Sequence, residues 1–313
     1  MISQANVGLK SADNGSSSAQ RSRRLPGTGR TMSTIKKILK QVKSLHPIPS
    51  MVYKILQLST DPDGSMPELV RMVERDPAIT ANLLRVCNSA YLGLAVKVDS
   101  VQQAVAMLGL QQVVELVLAQ NLSSHMARAQ KGYQLAKGAL WKQSVAAAMV
   151  ARTLAERRDI MALPAIYTAA LLKDIGKVVL HEYVAHSLEK IQEMVTFKGF
   201  SFIEAEQACI GMNHATLGGI VAREWNFSPH MVYMIENHHL NNAEARNDPA
   251  TATLYLADMV AMMVGTCTGI DRLAYPTYEE TFDDFFLAKD ELKALMLTYT
   301  GFLKGAQDLF DMR

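Results

Sequence analysis

The chain has 313 residues, 49% hydrophobic and 20% charged, enough apolar material for a substantial core in one large domain or two ordinary ones. No uncharged apolar run reaches the roughly 18 residues a membrane helix needs; the best stretch, 252–265, is short and carries Asp258. The net charge of +2 is uneven: residues 1–31 carry +4 and the remainder −2, which works against a general electrostatic case for nucleic acid.

Residues 1–31 are rich in Ser, Gly, Asn and Arg and show no apolar period. They read as a disordered basic tail, or as upstream sequence ahead of Met32. The first residues lack the apolar stretch of a secretory signal. From Ser33 onward, helix-start signals recur at short intervals. Met51, Ile55 and Leu58 form an apolar face, and 61–64 is a turn. Ser65 with Glu68, Ser100 with Gln103 and Ser201 with Glu204 have the spacing of capping boxes. Asp76-Pro77, Ser228-Pro229 and Asp248-Pro249 place an N-cap before a proline in the first turn.

The segment 131–138 is polar and punctuated by glycine, a candidate boundary between two halves. The second half opens at Trp141 with a helix of small residues through Leu154. Further helices are expected from Pro164 through Lys177, over 182–195 and from His214 to Trp225. Glu279 to Phe286 and Leu287 to Phe310 read as terminal helices. No stretch alternates strictly as a strand would. The fold class expected is all-α, a two-lobed helical bundle. Its segments are a tail 1–31, a first helical subdomain 32–130, a second 131–265 and a C-terminal extension 266–313.

Three cysteines, Cys87, Cys209 and Cys267, are far apart with no CxxC pair, which fits reduced buried thiols in a cytoplasmic protein. Trp141 and Trp225 read as core anchors. The chemistry-bearing residues lie in the second half. Asp174 ends an apolar run and stands between Lys173 and Lys177, where a buried carboxylate needs a metal or a cation. His214, His238, His239 and Asp258 follow on later helices. Imidazoles and carboxylates that converge in a bundle can bind metal. Other readings are open: Lys173 turned to solvent, Asp174 capping a helix or bonding Lys177, and only one of His238 and His239 facing inward.

The first half resembles an HDOD domain at Leu45-His46-Pro47-Ile48-Pro49, at Asp76-Pro77, from Leu83 to Ala90 and from Gln103 to Gly109. The second half resembles the same domain from Trp141 to Ser144, Leu171 to Lys177, His214 to Gly218, Trp225 to Pro229 and at His238-His239. The resemblance implies an all-helical relative of the HD metal-dependent phosphohydrolases and the HD-GYP phosphodiesterases. Such relatives are regarded as regulatory modules of bacteria. In an active HD enzyme a histidine occupies the position of Gln143 and another that of Lys173. Asp174 is kept, and His214, His238 or His239, and Asp258 match later positions.

An amide is a poor ligand, and an ammonium has no lone pair to give a metal. Lys173 is expected to substitute ammonium charge for metal charge, with Asp174 or Asp258 as its partner. The resemblance therefore implies a degenerate pocket of Gln143, Lys173, Asp174, Lys177, His214, His238, His239 and Asp258, with no catalytic residue, no metal and no cofactor. The alternative is a metal-dependent phosphohydrolase with a reduced ligand set. No GYP tripeptide follows His239, where the chain reads Leu240-Asn241-Asn242. The partner implied is a signalling protein or small ligand; membrane and nucleic acid are not expected, and self-association through 266–313 is open.

Overall fold

The computed structural model describes residues 28–45, 54, 55, 57, 65–89, 92, 94–160, 163–266, 269–271, 293, 294, 296, 297 and 299. Among these, every regular element is helical, and the only extended pairing is an isolated bridge between Gln130 and Leu135. In chain order the helices are α1 (Thr28–Ser44), α2 (Met66–Glu74), α3 (Pro77–Cys87), α4 (Val101–Leu108), α5 (Leu110–Met126), α6 (Ala139–Arg157), α7 (Leu163–Leu172), α8 (Ile175–Lys198), α9 (Phe202–Ile210), α10 (His214–Glu224), α11 (Pro229–Asn237), α12 (Ala243–Asn247) and α13 (Pro249–Met263). The all-α expectation holds. Among the described residues, no single helix is long and apolar enough to cross a membrane.

The centre of the domain is α6, which packs against α13 and α7. Its small residues explain the approach: Ala146 and Ala147 meet Ala261 of α13, and Ala148 and Ala151 are fully buried. Trp141, 1% exposed, anchors the start of the same helix. Around this centre, α8 packs on α10 and α9, and α10 packs on α11. The first-half helices α2, α3, α4 and α5 pack on one another, and α5 joins them to α7. One continuous apolar core runs from Ile38 to Val260, so the halves share their interior.

Several expectations need correction. Residues 28–31 belong to α1 and not to a disordered tail. A polar first turn costs little here, because Ile38 and Val42 further along bury the helix against the second half, on α8, α9 and α10. Ser65 is an N-cap by backbone only; its side chain caps nothing. Ser100 does accept from Gln103 N–H, but Gln103 bonds Asp99 N–H in place of closing the box. Ser201 and Glu204 form the complete reciprocal box. Asp76, Ser228 and Asp248 cap as expected.

The helix expected over 182–195 is the middle of the 24-residue α8, and the chain breaks before it, at Lys173-Asp174. The segment 131–138 is polar along one side only: Tyr133 and Leu135 are buried. Its 3-10 turn, Lys131–Tyr133, lies against α8, and Tyr133 is fully buried. Gly132 permits this: a Cβ there would stand 2.0 Å from the His181 carbonyl oxygen. Cys87 is buried and Cys209 half-buried. The expected face at Met51 and Leu58, the turn 61–64, Cys267 and most of the two terminal helices lie outside the described residues. Of the C-terminal extension, Tyr299 is described and buried, and its hydroxyl donates to Met149 O of α6 at 2.9 Å.

Candidate functional site

The α7–α8 turn delivers the site. Thr168, Leu171 and Leu172 seat the end of α7 in the core, and Lys173 and Asp174 follow with no measurable exposure. Gly176 lets α8 press on α10; a Cβ there would stand 2.0 Å from His214 O and 2.8 Å from Gly218 N. This contact brings the start of α10, and so His214, beside Asp174. His214 Nε2 lies 3.7 Å from Asp174 Oδ1.

Both lysines turn inward. Lys173 Nζ pairs with Asp174 Oδ2 and stands 2.6 Å from Asp258 Oδ1 on α13. Gln143 on α6 donates to the same Asp258 oxygen at 3.2 Å. Lys177 Nζ lies 2.8 Å from Asp174 Oδ1 and 2.5 Å from Asp271 Oδ2. The solvent-facing alternative for Lys173 is therefore set aside. Asp174 occupies the N-cap position of α8, but its side chain makes no capping bond and meets the ammonium groups.

Both histidines of the 238–239 pair enter the cluster, contrary to the expectation that only one would. The reason is local: α11 ends at Asn237, and Leu240 takes a left-handed φ of 54°, so neighbours no longer diverge as on a helix. His238 Nε2 points toward Asp174 Oδ1 at 3.9 Å, and its Nδ1 donates to Ile235 O at 2.7 Å. His239 Nε2 lies 2.8 Å from His214 Nε2. All eight residues singled out in the sequence thus meet in one buried cluster.

Three further members were missed. Glu206 of α9 accepts from the His214 ring at 2.7 Å and from its backbone N–H at 2.9 Å. Tyr133 donates to the other Glu206 oxygen at 2.5 Å. Asp271 pairs with Lys177. Glu206 had a legible signal: it sits four residues after Phe202, on the apolar face of a capped helix. Tyr133 and Asp271 had none, since their neighbours are distant in sequence.

Electrostatics follow from burial and pairing. Burial alone would raise the Asp174 carboxyl, but Lys173 and Lys177 hold it well below the usual range. Burial would lower Lys173, and Asp174 with Asp258 more than offset this, so its ammonium form is favoured. Burial pushes His238 down to about 3 and His239 well below the usual imidazole value, against the pull of Asp174. Burial and Glu206 push the Tyr133 phenol well up, so it remains a donor.

The fold and this buried histidine–aspartate–lysine cluster define an all-helical domain of HD-like design. Residues 45–241 match the HDOD domain family, and the chain belongs to that family. A curated relative, an uncharacterized protein of Treponema pallidum (strain Nichols), is 25% identical over 224 residues, 71% of this chain; the chain spans 43% of that protein's length. The fold is shared with the crystal structure of an HDOD domain protein with unknown function from Geobacter sulfurreducens (TM-score 0.64, 20% identity, 89% of this chain and 94% of that one). It is shared too with a candidate phosphohydrolase from Shewanella amazonensis SB2B (TM-score 0.64, 20% identity, 88% and 97%) and a candidate signal transduction protein from Marinobacter aquaeolei VT8 (TM-score 0.69, 19% identity, 90% and 65%).

A divalent metal is what an HD-type fold implies, and the residues present divide on it. At Asp174 and Asp258 the donor set does not fit: the Lys173 ammonium lies between the two carboxylates, and Gln143 offers Asp258 an amide. On the other side of Asp174, the three imidazoles offer ligand atoms within 4.8 Å of one another.

Proposed function

We propose that this chain is a regulatory module of bacterial signal transduction that acts by binding a protein or small ligand and does not hydrolyse phosphate esters. The observation that carries the reading is the Lys173 ammonium held by Asp174 and Asp258. A hydrolytic HD centre needs those carboxylates to hold an ion that lowers the pKa of water. Here they hold an ammonium group, which cannot act as a Lewis acid. The cluster then fixes the ends of α7, α10 and α11 and the middle of α13 relative to one another. That is the work of a scaffold that presents a surface.

Assay of the purified chain against phosphomonoesters, phosphodiesters and cyclic dinucleotides with Mn, Fe, Mg and Ni tests this. No turnover is expected. Turnover that disappears in Asp174→Ala would overturn it. Gln143→His with Lys173→His should raise metal affinity at the carboxylates, since it restores two imidazoles and removes the internal cation.

The alternative, a metal-dependent phosphohydrolase with a reduced ligand set, draws its support from the three imidazoles beside Asp174. The same assay decides between them.

A further inference from the structure

We propose that the cleft between the last turns of α8, the start of α9 and Ile270 docks a cationic amphipathic peptide segment of a partner protein. The inference rests on the reading of the chain as a binding module and names one surface such a module would use. The cleft has a volume of about 580 Å³. Val195, Phe202 and Ile270 give it an apolar lining, Phe197 stands at its rim, and Glu189 and Glu193 continue the α8 wall.

Phe197 is the residue out of place. It is 81% exposed, the most of any large apolar side chain among the described residues. The backbone accounts for it: α8 ends at Lys198, and Gly199 takes a left-handed φ of 67° that reverses the chain. Phe200 then packs on the core and Phe197 is left facing out. A lone exposed aromatic is ordinary. One that overhangs an apolar cleft enlarges it, and aromatic side chains so placed anchor protein interfaces.

Charge selects the partner. Glu189 and Glu193 are one turn apart on the same helix face, an arrangement that like charges disfavour. Glu193 pairs with Lys198 at 2.7 Å, but both side chains are exposed, so a partner's arginine can take the place of the lysine. Lys190 and Lys198 act on Glu193, yet neither lines the cleft. The N-terminus of α9 would favour an anion here, but the Ser201–Glu204 box already closes it. What remains is apolar surface with carboxylates along one side. The α8 wall from Glu189 to Thr196 runs for about 10 Å, two helical turns. A small molecule is usually engulfed over roughly 70–90% of its surface. Here one wall is a helix flank and the rim ring is bare, which fits a large apolar side chain with flanking Lys or Arg. The cleft also reaches the interior. The Phe202 ring lies 5.9 Å from the Tyr133 ring, and Ile270 precedes Asp271, the partner of Lys177. An occupant therefore bears on two residues that border the buried ionic cluster.

The test selects displayed random peptides of about 12 residues on the whole chain. Enriched peptides should carry a large apolar residue and an excess of Lys and Arg. Synthetic copies should bind roughly tenfold more weakly to Phe197→Ser, and to Glu189→Arg combined with Glu193→Arg. Binding to Met66→Ser, a change on α2, should be unaltered. Every altered position is exposed, so the variants should keep the helical content of the parent, which circular dichroism checks. Equal binding to all variants, a neutral or acidic consensus, or no enrichment overturns the proposal. Phenethylamine bound in the cleft with no peptide enriched overturns it in favour of a small-molecule site. The binding-module reading fails separately. Metal-dependent turnover lost in Asp174→Ala overturns that reading and leaves the cleft standing, whereas a peptide indifferent to Phe197 overturns the cleft and leaves the reading.

Discussion

Tyr133 and Glu206, separated by 73 positions in the chain, meet in a buried hydrogen bond of 2.5 Å, and the other oxygen of that carboxylate holds both the ring and the backbone of His214. Tyr133→Phe removes one hydroxyl and leaves a carboxylate oxygen buried without its donor. A loss of about 1–3 kcal/mol in unfolding free energy is expected. Urea denaturation checks it; a change within error would mean that the hydroxyl is idle.

Lys173→Met should be more damaging. It strips a buried cation from Asp174 and Asp258, and breaking such a pair costs about 3–5 kcal/mol. Adding Asp258→Asn should recover part of the loss, because the second change removes one of the stranded charges. Strict additivity in a double-mutant cycle would show that the two groups do not interact.

The glycines separate two kinds of cost. Gly138 has φ +80° with nothing within 4 Å of the place a methyl would take, so Gly138→Ala costs about 1 kcal/mol through backbone strain alone. Gly176 is the reverse, where a methyl would strike the His214 carbonyl and force α8 from α10. Gly176→Ala should cost upwards of about 3 kcal/mol. Thermal melts of the two variants compare them, and equal losses would contradict the close packing.

Acid should weaken the chelator-treated protein from near neutrality downward. His238, at about 3, and His239, lower than usual, stay neutral when folded, whereas both take up protons near 6.5 when unfolded. The unfolded state thus binds more protons, and stability falls as pH drops from 6.5 toward about 3. Each ring contributes a slope of about 1.4 kcal/mol per pH unit. Asp174 acts lower: its contribution is present above its ordinary 3.8 and is lost as pH falls through its depressed folded value. Urea midpoints across this range give the profile, and a flat one would show the rings charged when folded.

What the sequence disclosed was set by distance along the chain. Asp76, Ser201 and Ser228 declare helix starts because a cap and its target lie within three residues. The ammonium at Lys173 was legible only beside a family in which histidine stands there. Its pairing with Asp258, 85 positions away, is a product of α7 packing on α13. Local pattern misled at His239, where the helix ends two residues earlier than periodicity suggests, and at 131–138, where polar composition hid a buried tyrosine. Asp271 carries no signature at all; it matters because Lys177 points at it.

Two glycines bracket how α8 can behave. Gly132 seats a turn against residues 181–185 in its middle, and Gly176 seats its first turn against α10, each with backbone on backbone. Those contacts work like detents on a shaft. A slide by one residue, about 1.5 Å, would carry side chains into both notches. Any movement relayed through this domain therefore has to pass around α8, through the helices that lean on it, and not along it as a piston.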